Sequence, residues 1–77
     1  MAGKPRPTPC FLDEVDYLGF KSGQQLWRSQ DQERYYTWDS LHGEIEVFNK
    51  RGKHLGALDA VTGHTIKQAV RGRTIDV

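Results

Sequence analysis

Apolar residues recur at helical spacing in only one part of the chain, at Phe11, Leu12, Val15 and Leu18. Thr8-Pro9 precedes them and is typical of a helix start, while Gly19 can end a helix. The spacing therefore predicts a short amphipathic helix over Pro9–Leu18. The Pro-, Gly- and Lys-containing residues before it are predicted to form a loose arm.

Beyond Gly23 the pattern changes to short alternating segments separated by turn residues. The segments are Gln25–Arg28, Arg34–Trp38, Glu44–Phe48, His54–Leu58 and His64–Val70. Short turns between consecutive strands predict an antiparallel meander. The predicted fold is α+β and mainly β: one highly twisted antiparallel sheet of about four to five strands with a short N-terminal helix. Residues 1–26 would form the arm and helix, and residues 27–77 the sheet, within one compact domain.

Alternation also predicts which side chains share a face of the sheet. If Ile45 and Val47 face the core, Glu44 and Glu46 project from the opposite face. In the preceding strand, Tyr36 and Trp38 share one face while Tyr35, Thr37 and Asp39 share the other. We predict that Tyr36 and Trp38 lie in the core and that Tyr35 lies on the side of Asp39.

The composition is that of a small folded domain. Two Trp, three Tyr and three Phe among 77 residues are enough for a compact aromatic core. No apolar run is long enough to span a bilayer, and the N-terminus lacks the layout of a secretory signal. Cys10 is the only cysteine, which excludes an internal disulfide, and a structural role is the simpler interpretation of it. A reducing cytoplasm is the expected compartment.

Charge is unevenly distributed although the net charge is only +1. Residues 27–50 hold three basic and five acidic side chains, whereas residues 51–77 hold five basic and two acidic ones. A general nucleic-acid binder is usually far more basic. If the partner is RNA, phosphate attraction must come mainly from the C-terminal third, where Lys53, Lys67, Arg71 and Arg73 lie.

Two carboxylates flank an imidazole in the segment Trp38–Glu46, with a glycine turn between them. Glu46 and His42 are a candidate base and acid, the pair that RNA cleavage needs to move a proton from the ribose 2′-hydroxyl and to protonate the departing oxygen. Asp39 would orient the imidazole, and Arg71 or Arg73 would bind phosphate. The competing interpretation is a turn capped by Asp39 beside a solvated strand face. Spacing alone favours that second interpretation.

A metal site and an aromatic RNA-binding surface are the other interpretations. Metal ligands could in principle come from Asp39, His42, Glu46, His54 and His64, but no pair has the spacing of a known zinc motif. His54 and His64 each adjoin a turn and are predicted to be surface residues. Tyr35 could stack a base beside the acidic site, as in single-strand RNA binders.

Residues 27–77 resemble the cytotoxic ribonuclease domain of the ribosome-cleaving colicins and related toxins. The resemblance is carried by Tyr36-x-Trp38-Asp39-Ser40-x-His42-Gly43-Glu44-x-Glu46, His54-Leu55-Gly56, Asp59, Thr62-Gly63 and Arg73, with Trp27 at the family's distance before the first motif. It implies a highly twisted antiparallel sheet and a metal-independent endoribonuclease. By this resemblance Glu46 is the general base, His42 the general acid, Asp39 the support of the histidine and Arg73 the contact to the scissile phosphate. Glu44 matches a second acid of weaker role.

The expected function is that of a stand-alone endoribonuclease toxin acting in the bacterial cytoplasm, with Tyr35 and Glu44 as supporting residues and Lys53, Lys67 and Arg71 binding RNA. The resemblance implies cleavage of 16S ribosomal RNA at the decoding centre, without a cofactor. An acidic antitoxin or immunity protein is the expected protein partner. The alternatives are a ribonuclease toxin acting on messenger or transfer RNA and a non-catalytic RNA- or protein-binding module.

Overall fold

The protein is one antiparallel sheet in which every strand pairs with its neighbours in sequence. A computed structural model describes residues 3–77. The six strands run in the order β1 to β6. They are β1 (Asp16–Lys21), β2 (Gln24–Arg28), β3 (Arg34–Asp39), β4 (Glu44–Asn49), β5 (His54–Asp59) and β6 (Thr65–Gln68). The prediction of a mainly β antiparallel fold is confirmed, with six strands rather than four to five.

The predicted helix over Pro9–Leu18 is wrong. The structure has a single 3-10 turn at Phe11–Glu14 followed by strand β1, which lies in the same sheet as β2. The reason is the tight hairpin at Ser22 and Gly23, whose φ angles of 54° and 83° suit a two-residue turn. Pairing with β2 supplies the backbone hydrogen bonds of β1 that a helix would otherwise provide.

The hydrophobic core lies on one face of the sheet, beneath the 3-10 turn. In β3 and β4 the cross-strand pairs Tyr36–Val47 and Trp38–Ile45 face this core. Ile45 is fully buried. The core cluster consists of Cys10, Leu12, Trp27, Tyr36, Ile45, Val47 and Leu58. Because alternate residues point to opposite faces, Asp39, Glu44 and Glu46 are left on the other side, as the alternation predicts.

The N-terminal arm is bound to the sheet, so the prediction of a loose arm is wrong over its described residues; Met1 and Ala2 lie outside them. The Lys4 N–H donates to the Ser40 carbonyl at 2.7 Å, and the Trp38 indole N–H donates to the Lys4 carbonyl at 3.0 Å. The Arg6 guanidinium lies 5.1 Å from the ring centroid of Trp27. The arm thus holds the turn that follows β3.

The C-terminal segment after β6 folds back along the start of β5. The His54 N–H donates to the Arg73 carbonyl at 3.0 Å, and the Ile75 N–H donates to the Gly52 carbonyl at 2.8 Å. Lys53 and Thr74 form an isolated antiparallel bridge between these two hydrogen bonds. These bonds fix the position of the Arg73 side chain over the face opposite the core.

Within residues 3–77, no helix is long and apolar enough to cross a membrane.

Candidate active site

The turn between β3 and β4 positions His42. Gly43 closes the turn at a φ of 69°, a conformation that favours glycine, and its N–H donates to the Asp39 carbonyl at 2.8 Å. A Cβ at Gly43 would lie 2.9 Å from Lys4 Cδ, so the flexible Lys4 side chain of the arm packs directly against the turn. The structure therefore couples the backbone of the turn to the N-terminal arm.

Asp39 both caps this turn and orients the histidine ring. Its Oδ1 accepts hydrogen bonds from the backbone N–H groups of Leu41 at 3.1 Å and His42 at 3.2 Å. Its Oδ2 lies 2.8 Å from His42 Nδ1. A carboxylate partner makes Nδ1 the protonated nitrogen, which directs Nε2 away from Asp39. The two interpretations of Asp39 that the sequence left open, a cap and a support for His42, are thus compatible.

The environment of Asp39 favours its ionised form. Partial burial by itself would raise the pKa of the Asp39 carboxyl, but the hydrogen bonds from the His42 ring and from the backbone of the turn outweigh it. Together they hold this pKa below its ordinary value of 3.8. The carboxylate is therefore charged at neutral pH and holds the His42 ring in one orientation through Nδ1.

Glu46 is held from two sides on the face opposite the core. Its Oε1 accepts from Arg73 Nη1 at 2.6 Å, and its Oε2 accepts from His54 Nε2 at 2.8 Å. The side chain of Glu46 is 13% exposed, so these charged and polar partners replace most of its solvent. An ionised Glu46 in this position is compensated by the guanidinium and can accept a proton.

The sequence analysis gave His54 no place in the catalytic site, and the prediction that it is a surface residue is wrong: it is 6% exposed. The Val70 N–H donates to His54 Nδ1 at 2.9 Å, so Nδ1 is unprotonated and Nε2 carries the hydrogen that is donated to Glu46. The register of the β4–β5 hairpin would have indicated this contact, because it pairs His54 with Phe48, two residues from Glu46 on the same face.

The remaining predicted residues separate into three groups. Lys67 forms an ion pair with Glu44 at 2.9 Å at the edge of the cleft that holds Glu46. Lys53 and Arg71 line an adjoining groove that Arg73 also borders. Tyr35 is not brought to Asp39, since Thr37 lies between them along β3 and Tyr35 instead borders an apolar groove near β1.

Two of the histidines considered as metal ligands are not placed to bind a metal with Asp39 and His42. His54 uses both ring nitrogens on protein partners, and His64 is an exposed residue of another loop. Ligand atoms of Asp39, His42 and Glu44 do lie within 4.8 Å of one another. Exposed acidic groups at this separation are common without an ion, so the cluster by itself does not indicate a metal.

Catalytic candidates from four strands, the turn between β3 and β4 and the C-terminal segment line one cleft of about 210 Å³. They are Asp39, His42, Glu44, Glu46, His54, Lys67 and Arg73. This set can take up one proton at a carboxylate, deliver another from an imidazole and neutralise an anion with a guanidinium. These are the functions required for phosphodiester cleavage by a neighbouring hydroxyl.

The sequence model of the Cytotoxic family matches residues 18–76. The chain belongs to the Cytotoxic family. Two relatives from Escherichia coli are cloacin, 43% identical over 42 residues, and colicin E3, 40% identical over 45 residues. These matches cover 53% and 57% of this chain but only 8% of each relative. The Cytotoxic family match includes every strand except the first residues of β1.

The hydrogen bonds of Asp39 predict a pH-dependent contribution to stability. The folded pKa lies below the unfolded value, so the contribution is full above about pH 4 and is lost as pH falls through the folded pKa. Asp39→Asn should lower the free energy of unfolding by about 1–3 kcal/mol near pH 6, with a smaller difference from wild type near pH 2. Urea unfolding of both proteins at pH values from 2 to 6 measures this difference in the free energy of unfolding.

His42→Ala is the matched comparison, because it removes the ring that donates to Asp39. The free energy of unfolding of His42→Ala should show less of the pH dependence that Asp39 gives to the wild type. A constant difference between wild type and Asp39→Asn from pH 6 to pH 2 would contradict the assignment.

Proposed function

We propose that this member of the Cytotoxic family is a ribonuclease toxin in which Glu46 is the general base and His42 the general acid. One observation carries the proposal: the Glu46 carboxylate lies between Arg73 and His54 in the same cleft as the His42–Asp39 pair. Family membership and the similarity to cloacin and colicin E3 support it independently of the geometry.

The reaction begins at the ribose 2′-hydroxyl. Glu46 takes the hydroxyl proton while the 2′-oxygen attacks the adjacent phosphorus, and the bond from phosphorus to the 5′-oxygen breaks. The protonated imidazole of His42 gives the Nε2 proton to that departing oxygen. The products are a 2′,3′-cyclic phosphate and a 5′-hydroxyl, and the net proton transfer leaves Glu46 protonated and His42 neutral.

Arg73 stabilises the charge that builds on the phosphate. Its Nη1 already contacts Glu46, and a guanidinium has further N–H groups directed away from that contact. These can bind the nonbridging phosphate oxygens without releasing Glu46. His54 keeps the other carboxylate oxygen in place and is therefore a positioning residue rather than a proton donor.

Protein groups account for both proton transfers and for charge stabilisation in this scheme, so it requires no metal ion or other cofactor. Cleavage of a short RNA should persist in a chelator. Loss of cleavage that returns with a divalent cation would contradict the metal-independent scheme.

We also propose that the substrate is 16S ribosomal RNA at the decoding centre of ribosomes in the bacterial cytoplasm, the target implied by the resemblance to ribosome-cleaving colicins. The same chemistry on messenger or transfer RNA is the second candidate. The net charge of only +1 favours this second candidate, since a protein that binds the ribosome gains affinity from a basic surface.

Removal of the proposed base should abolish cleavage without unfolding the protein. Purified wild-type protein incubated with intact bacterial ribosomes should give a single new primer-extension stop near the 3′ end of the small-subunit RNA. Glu46→Gln should slow its appearance by about 10²–10⁴-fold, the usual contribution of a general base.

Glu14→Gln, which neutralises an exposed carboxylate in the 3-10 turn, is the control and should cleave as wild type does. Equal cleavage by Glu46→Gln and wild type would contradict the role of Glu46. Intact ribosomal RNA together with cleaved messenger or transfer RNA would support the second candidate instead. An RNA complex that forms without any cleavage would indicate a binding module.

An acidic immunity or antitoxin protein is the partner that we propose for the basic groove of Lys53, Arg71 and Arg73. Arg71→Glu should slow association with that partner by about tenfold or more at low salt, because long-range attraction raises association rates. Stopped-flow mixing measures the rate, and Lys50→Glu, in the turn between β4 and β5, is the comparison. An unchanged rate for Arg71→Glu would place the partner elsewhere.

A further inference from the structure

A second cleft adjoins the candidate active site, and His42 is not among its lining residues. It has a volume of about 400 Å³ and lies over strands β2 to β4 and the C-terminal segment. Asp39, Glu46 and Arg73 line both this cleft and the one that holds His42. The Glu46–Arg73 ion pair is therefore a ridge between two clefts, and a phosphate bound at the ridge would have space for a nucleoside on either side.

The cleft exists because β2 and β3 separate. Their ladder contains only the pairs Trp27–Tyr36 and Arg28–Tyr35, although both strands continue beyond it. Gln24, at the start of β2, and Thr37 in β3 both line the resulting gap. The C-terminal segment closes the opposite side, and its hydrogen bonds to Gly52 and His54 keep that wall in place.

The lining combines apolar surface with a few hydrogen-bonding groups. Phe48, Ile75 and the exposed Leu41 supply the apolar part. Gln24 supplies a carboxamide, which is both a donor and an acceptor. Thr37 is only 4% exposed and lines the cleft, where it supplies a hydroxyl. A hydroxyl at a cleft wall can donate to or accept from a ligand.

This lining fits a nucleobase better than a phosphate. Arg73 is the one basic side chain among the lining residues in the described chain, and it already pairs with Glu46. A base presents flat apolar faces and an edge of donors and acceptors, and proteins recognise unpaired bases by packing on the faces and hydrogen bonding to the edge. The volume is in the range of small-ligand sites.

We propose that this cleft binds the base of the nucleoside on the 5′ side of the cut, with Gln24 and Thr37 hydrogen-bonded to its edge. The inference rests on the proposed function, which fixes the direction of the chain. Glu46 borders the cleft and acts on the 2′-hydroxyl of the 5′ nucleoside, whereas His42 protonates the oxygen of the 3′ nucleoside and lines only the other cleft. Gln24 is then a specificity-determining residue and takes no part in the proton transfers.

The test uses short RNAs that carry the cleavable linkage, with either flanking base removed to leave an abasic ribose. Gln24→Ala should lower kcat/KM on the complete RNA by about tenfold, the usual effect of losing a base-edge contact. Removing the 5′ base should lower the wild-type value, and Gln24→Ala should then have little further effect. Removing the 3′ base should leave the effect of Gln24→Ala intact.

Gln25→Ala is the matched control, since Gln25 is the neighbouring amide and borders a groove on the opposite face with Trp27. It should cleave every RNA as wild type does. An equal loss for Gln24→Ala on complete RNA and on RNA without the 5′ base would overturn the subsite, as would no loss on either. Cleavage of all these RNAs that does not depend on Glu46 would instead reject the proposed function, so the two failures are distinguishable.

Discussion

The ion pair between Glu46 and Arg73 is the contact on which the rest of the site depends. The Glu46 side chain is 13% exposed, and Arg73 supplies a charged partner for it at 2.6 Å. Arg73 comes from the C-terminal segment, whereas Glu46 comes from the middle of the sheet. The segment must therefore be bound to the start of β5 before the base is complete. Its backbone bonds at Gly52 and His54 provide that attachment.

One face of the sheet packs in the core, and the opposite face carries the candidate catalytic side chains. In β4, Ile45 and Val47 are buried in the core while Glu44 and Glu46 face the cleft. A strand of this kind fixes the direction of a carboxylate because the neighbouring residues cannot leave the core. The turn after β3 has no such support of its own. Asp39 caps it from within, and the arm holds it from outside through Lys4 and Ser40. The acid and the base are thus positioned by different means.

Local sequence patterns predicted most of the sheet and failed where distant contacts decide the structure. Strands β2 to β5 begin and end within one residue of the predicted segments because each has clear alternation and turn residues at its ends. Residues 9–18 have a helical apolar spacing, but Phe11 and Leu12 are used to cover the sheet from one short turn, and the next residues pair with β2. That pairing overrides the local preference.

The same reasoning explains which parts of the candidate site were predicted. Asp39, His42 and Glu46 lie close in sequence, so spacing and resemblance both indicated them. His54 joins Glu46 only through the β4–β5 register, and its buried tautomer depends on Val70, sixteen residues away. Tyr35 shares a face with Asp39 as alternation predicts, but it lies too far along β3 to reach the cleft. Alternation predicts on which face of the sheet a side chain lies, but it does not predict how far along the strand that side chain is from the site.

The division of proton transfers between Glu46 and His42 is the central claim, and a leaving group that needs no proton tests it most directly. The measurement is the cleavage rate of a short RNA in which sulfur replaces the departing 5′-oxygen, since a thiolate leaves without general-acid help. His42→Ala should cleave this RNA within about tenfold of wild type, while Glu46→Gln should remain slower by about 10²–10⁴-fold. Equal rescue of both variants, or of neither, would contradict the assignment of acid and base.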